Sequence, residues 1–368
     1  MTNHVMTGKQ AQSIYILFWI GSVVVTGINK EAKQDTWISI LMAAILFLPI
    51  MALHLRIIKL YPGLNIFDII LKIFGKVLGR IISLLFISYI LLLGTYVMKV
   101  FAEFVRILNM PETPEFMTMT FLFLISVWGA KNGPENIGRV AKLCWPIVMT
   151  SVLLTFFVAF RFMDFSNLKP VMESDFKSLL SGAFFFTMIP LGEAVVCLCF
   201  FSAVSLKTNT LKVYIKALLS FLAILLIAIL RNVLVLGVPS ALKFYFSSYE
   251  AVSVISLGDF FAHIEVIIGI NLMLAGFIKI VVCVYASSLG LTKIFNLQDQ
   301  KSMVVPSGLL VVMLCYLFYP VQYDWLQSYR FYSIAFQILL PLIVWIGAEI
   351  QTKMKSPGSQ ATGLDSSE

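Results

Sequence analysis

A chain of 368 residues with 60% apolar and only 12% charged side chains cannot dress itself in the polar surface that a soluble domain needs, where about a quarter of residues are charged. The mean hydropathy is +0.93. Soluble enzymes, disordered tails, collagens and disulfide scaffolds are excluded, which leaves a polytopic membrane protein. The net charge of +8 reads as loop bias rather than a nucleic-acid footprint, and no nucleic-acid partner is expected.

Apolar runs of about 17–25 residues predict ten transmembrane helices. In chain order the spans are Gln10–Ile28, Trp37–Leu55, Ile81–Phe104, Phe116–Ala130, Leu143–Phe160, Leu179–Leu206, Ala217–Val238, Phe260–Ala286, Met303–Tyr319 and Tyr332–Ile350. The first is read as a retained helix, because no small-residue cleavage site closes it. With the N-terminus inside, the loops hold sixteen Lys and Arg on the inner side and eight on the outer. That bias predicts both termini in the cytoplasm. The loop from Tyr61 to Arg80 reads as an amphipathic surface helix. Residues 1–355 form one membrane domain, and 356–368, rich in Ser and Gly, form a disordered cytoplasmic tail.

Apart from Glu103, at the very end of the third span, six charges fall inside these spans: Lys99, Arg231, Lys279, Glu193, Glu265 and Glu349. Each is costly, by roughly 2.5–3.5 kcal/mol on insertion scales, and so a candidate for function. Arg231, Glu265 and Glu349 lie near span ends, where snorkelling accounts for them. Lys99 fits either reading. Lys279 lies well inside span 8, and Glu193 sits at the centre of span 6, out of reach of water.

Glu193 follows two helix breakers in Pro190-Leu191-Gly192-Glu193. Pro190 removes a backbone donor, and Gly192 allows dihedrals outside the helix. Span 1 carries a matching interruption at Gly21-Ser22 and Thr26-Gly27. Unwound backbone in a membrane is tolerated where it is buried or lines a cavity. Interrupted spans 1 and 6, five apart in a set of ten, have the spacing of two inverted five-helix repeats with a transporter-type site between them. A broken helix offers N–H groups to a carboxylate and carbonyls to an ammonium group, which suits a small zwitterion.

Competing chemistry finds little support. Cys144, Cys197, Cys199, Cys283 and Cys315 lie in apolar runs and read as buried hydrophobes. There is no Gly-x-Ser-x-Gly, no Walker loop and no metal-ligand spacing. His54 and His263 lie near span ends and read as interfacial. Neither an enzyme nor a cofactor is expected.

Several stretches resemble the spore germination permeases, the B subunits of nutrient germinant receptors in endospore-forming bacteria. These are Thr26 to Ser39 with its Gln34-Asp35-Thr36-Trp37-Ile38-Ser39 run, Tyr61-Pro62, Ile73 to Gly79, Pro190 to Glu193 and Gly276-Phe277-Ile278-Lys279. The resemblance implies the amino acid–polyamine–organocation fold and a spore inner-membrane location. It implies a complex with an A subunit and a lipoprotein C subunit, and a small nutrient ligand such as an amino acid. Gly21, Ser22, Gly27 and Pro190, Leu191, Gly192 and Glu193 match the broken helices. Spans 3 and 8 complete the pocket in this fold, which brings in Tyr96, Val100 and Tyr285. Lys279 takes the part of a bound cation against the span-1 carbonyls, as a fixed charge does in some proton-linked relatives. Leu191 stands where relatives often carry an aromatic residue, so the particular nutrient does not carry over. A proton-coupled amino acid transporter of the same fold needs the same pocket and is the alternative.

Overall fold

A computed structural model describes residues 5–21, 23, 29–106, 112–256, 264–317 and 332–355. Apart from one isolated bridge, its regular elements are all helical. The α-helices are α1 (Gly8–Ile20), α2 (Thr36–Leu60), α3 (Ile66–Phe104), α4 (Glu115–Lys131), α5 (Gly133–Ala159), α6 (Phe176–Met188), α7 (Thr210–Lys243), α8 (Ser247–Ser253), α9 (Val266–Ile294), α10 (Lys301–Leu317) and α11 (Leu340–Lys355). A 3-10 segment, Leu191–Ala203, continues α6, and a π-helical turn, Ala335–Leu339, precedes α11. Among the described residues, seven helical stretches are long and apolar enough to cross a bilayer. α1, α4 and α10 are shorter, at 13, 17 and 17 residues.

α1 and α9 form the centre. α9 packs against α1, α3, α4, α5 and α10, and α1 also packs against α5 and α7. From Ile14 to Ile20 every residue of α1 is buried, so this helix meets protein on all sides. α9 is lined by Ala275, Gly276, Ser287, Ser288 and Gly290, small residues that let neighbouring backbones approach. The outer ring shows the opposite pattern. Phe121, Trp128, Leu143, Phe157 and Leu219 are each more than 60% exposed, an apolar belt of the kind that faces lipid.

Local chemistry sets the helix ends. Thr7 and Gln10 form a capping box at the start of α1, and Asn65 and Asn209 cap α3 and α7. Beside the cap, Met6 pairs with Val204 in a short parallel bridge, through Met6 N–H to the Ala203 carbonyl (2.8 Å) and Ser205 N–H to the Met6 carbonyl (3.1 Å). At the other end, Asp35 is fully buried and its carboxylate accepts the backbone N–H groups of Met172 (2.8 Å) and Ser174 (3.0 Å). Asp35 of the Gln-Asp-x-Trp-Ile-Ser run therefore holds the connection between α5 and α6 against the start of α2.

Three sequence expectations change. Residues 66–74 form a short helix set off from the rest of α3, as the sequence predicts, but it is not confined to the surface: Ile66, Phe67, Ile69 and Ile70 are buried. Gly75, at φ 76°, breaks the helix there, and the Gln351 amide of α11 donates to the carbonyls of Lys72 and Ile73. Arg231 does not snorkel, because it lies in the interior. His54 is not interfacial either; it is fully buried, with Nδ1 3.2 Å from the Tyr214 hydroxyl. The reason is shared. A residue near a helix end reaches water only if no neighbouring helix covers that end, and here α7 and α8 do so. The segment 356–368 and His263 lie outside the described residues.

Candidate binding site at the helix breaks

α6 stops at Met188, and the chain resumes as a 3-10 helix at Leu191. Glu193 is in the first turn of that segment, with its N–H on the Pro190 carbonyl (3.2 Å). Its carboxylate meets the Lys279 ammonium of α9 at 2.5 Å, and both side chains have zero solvent exposure. The Lys279 nitrogen also lies 5.0 Å from the ring centroid of Phe18 on α1, a cation–π arrangement. Two costly charges from positions 86 residues apart thus neutralise one another at the centre of the bundle.

The break in α1 is built around the same lysine. α1 ends at Gly21, whose N–H bonds to the Leu17 carbonyl (2.9 Å). A Cβ at Gly21 would stand 3.0 Å from Lys279 Cβ and Cδ and 3.0 Å from the Ala275 carbonyl. Only glycine lets the lysine stem pass so close. The Gly276 position lies 3.7 Å from the Gly21 carbonyl by the same measure. Trp19 closes the arrangement by donating from its indole nitrogen to the Leu191 carbonyl (3.2 Å). The end of α1, the start of the 3-10 segment and the middle of α9 therefore meet at one point.

A third partner comes from the last span. A Cβ at Gly192 would lie 2.2 Å from Gln337 Oε1. Gln337 sits in the π-helical turn and donates from Nε2 to the Tyr89 hydroxyl of α3 (2.8 Å). Its Oε1 is buried without a hydrogen-bond donor, directly over the glycine. π-helical turns are frequent at functional sites.

The structure gathers Gly21, Leu191, Gly192, Glu193 and Lys279, with Pro190 at the turn. Tyr96 lies within charge range of Glu193 and Glu103. Val100 belongs to the packed core. Tyr285 packs at a tilt against Phe200 of the 3-10 segment, with centroids 4.8 Å apart, and lies six residues or about 9 Å along α9 from Lys279. Ser22 and Gly27 lie outside the described residues, as do residues 24–28, which hold most of the span-1 carbonyls beyond Gly21. Sequence reasoning missed Phe18, Trp19 and Gln337. For Gln337 a signal existed: it is a lone amide within an apolar run. The aromatic pair carried none, being typical of any buried helix. Among the other span charges, Glu349 pairs with Arg56 (2.6 Å) at the surface, as its position near a span end suggests.

Known proteins show the same build. Residues 6–322 match the model of a family described as spore germination protein. The chain is 24% identical over 363 residues to spore germination protein KB of Bacillus subtilis (strain 168), covering 96% of this chain and 97% of the relative. It is 21% identical over 338 residues to spore germination protein XB of Bacillus anthracis, covering 88% and 92%. Among solved structures, MhsT in complex with L-phenylalanine superposes with a TM-score of 0.67 at 13% identity, covering 90% of this chain and 87% of that one. Mhp1, a nucleobase-cation-symport-1 family transporter closed around bromovinylhydantoin, gives 0.60 at 14% identity, covering 93% and 78%. The fold is thus the one shared by MhsT and Mhp1, and the chain belongs to the spore germination protein family.

Proposed function

We propose that this chain is the B subunit of a nutrient germinant receptor and that it binds a small amino acid at the meeting point of α1, the 3-10 segment and α9. The observation that carries the reading is the fully buried Glu193–Lys279 pair set on two helix breaks. A zwitterionic ligand matches both charges: its ammonium group replaces Lys279 on Glu193, and its carboxylate takes the Lys279 ammonium. One internal ion pair becomes two intermolecular ones, so the desolvation already met in the free protein is not incurred twice. Exchanging that pair frees Lys279 from the end of α1 and shifts the balance between two arrangements of the breaks. A complex with A and C subunits would carry the shift onward, in the spore inner membrane, with both termini and residues 356–368 on the cytoplasmic side. Seven long stretches and the shorter α1, α4 and α10 would then supply ten spans in two inverted repeats.

Spores lacking this gene, and spores carrying Glu193→Gln, test the reading. They are challenged with amino acids, sugars and nucleosides while dipicolinic acid release is followed. Loss of response to amino acids in both strains, with the variant protein still present, is the expected result. An unchanged response across the panel in spores stripped of other receptors overturns it. The transporter-like fold favours a second reading, proton-coupled amino acid uptake. Sustained accumulation of labelled amino acid in vesicles containing this chain alone would select that one.

A further inference from the structure

A second charge lies in the interior, and among the described residues it has no ion-pair partner. Arg231 on α7 is 1% exposed. Its Nη1 donates to Thr155 Oγ1 of α5 (2.8 Å), and its Nε and Nη2 donate to Asn232 Oδ1 (3.2 and 2.9 Å). All these acceptors are neutral, and among the described residues no carboxylate forms an ion pair with the guanidinium. Three of its five N–H groups are used, so two remain.

The surroundings add donors rather than acceptors. The Asn232 amide is spent on Ser248 Oγ of α8 (2.9 Å), and the Thr155 hydroxyl on the Val152 carbonyl (3.0 Å). Ser151 lies one turn before Thr155 on α5, so their side chains are neighbours about 5–6 Å apart. Ser151 donates to Asn271 Oδ1 of α9. That leaves Asn271 Nδ2 buried with no acceptor, and the hydroxyl of Ser247, next to Ser248, is buried without a partner as well. A polar seam through α5, α7, α8 and α9 therefore carries one positive charge and spare N–H groups on Arg231 and Asn271. It shares no residue with the Glu193–Lys279 site. Water would satisfy the donors and leave the charge; a cation would be repelled. What fits both is one small monovalent anion.

We propose that Arg231 and Asn271 hold such an anion, a halide or a small carboxylate, and that it fastens α8 to the helices beneath. The test uses the full-length protein in detergent, with the thermal midpoint measured in sodium chloride, sodium formate and sodium gluconate at constant ionic strength. Gluconate serves as the bulky control anion. The midpoint is expected to rise saturably with chloride or formate and not with gluconate; which of the two acts identifies the class. Arg231→Met should abolish the salt-specific rise. Asn271→Asp supplies the anion from within, and should unfold at the same temperature in all three salts, no lower than the wild type in saturating chloride or formate. This second variant decides the matter even where Arg231→Met does not accumulate. A wild-type midpoint indifferent to the anion, or an Asn271→Asp protein that keeps the wild-type dependence, overturns the proposal.

Discussion

Removing one member of the central ion pair should do more damage than removing both. Lys279 and Glu193 meet at 2.5 Å with no exposure to solvent. At an effective dielectric of 20 their attraction is roughly 7 kcal/mol, set against a desolvation of several kcal/mol for each ion. The pair is close to balanced, but a single survivor is not. Lys279→Met, which keeps the stem beside Gly21, and Glu193→Gln, which keeps the shape, should each lower stability by about 3–5 kcal/mol. The double variant should return to within about 1 kcal/mol of the wild type, a coupling energy beyond the usual range for neighbouring residues. Reversible unfolding of the four proteins in mixed detergent micelles measures the cycle. Single variants within about 1 kcal/mol of the wild type, or a double variant as unstable as the two singles added, would refute the reasoning. The same four proteins separate stability from recognition: the double variant is expected to fold and to bind no amino acid.

Other consequences are narrower. Gly192→Ala puts a Cβ 2.2 Å from Gln337 Oε1 and should cost about 1–3 kcal/mol, with Gln337→Ala as a second change restoring most of it. Asp35→Ala removes two charge-assisted bonds to the α5–α6 connection, each worth about 1.5–3 kcal/mol, and should speed proteolysis between residues 163 and 175. Tyr214→Phe cuts the chain Tyr15–Tyr214–His54 in the middle; a loss of about 1–3 kcal/mol in the same unfolding assay is expected. Gly290→Ala would set a Cβ 2.5 Å from Phe67, and its expected outcome is a loss of about 1–3 kcal/mol.

What could be read from the amino acids follows from what each signal depends on. The cost of charge in hydrocarbon is a property of one residue, so Glu193 and Lys279 stood out without a structure. So did the breaks at Gly21 and Pro190–Gly192, because Pro and Gly act on their own backbone. Which charges meet depends on the rotation and tilt of helices, and 86 intervening residues carry no code for that. Arg231 and His54 were misplaced for the same reason. Residues 66–80 misled in one respect: Asp68, Lys72, Lys76 and Arg80 recur every four residues, which rightly marks a helix, set off at Gly75, but suggests that it lies free on the surface. Asp68 instead pairs with Lys293 of α9 at 2.7 Å while the opposite face is buried.

The thirteen residues from Leu191 to Ala203 are wound three to the turn rather than 3.6. That winding is a store of length and angle. An α-helical residue advances 1.5 Å where a 3-10 residue advances about 2.0 Å, and it turns 100° instead of about 120°. Rewinding only four residues would draw the segment in by about 2 Å and swivel everything beyond by about 80°. Glu193 stands at one end of this screw and Ala203, bonded to Met6, at the other. A small change of pitch at the ion pair would therefore arrive at the chain's beginning as a rotation, without any helix having to slide through the lipid.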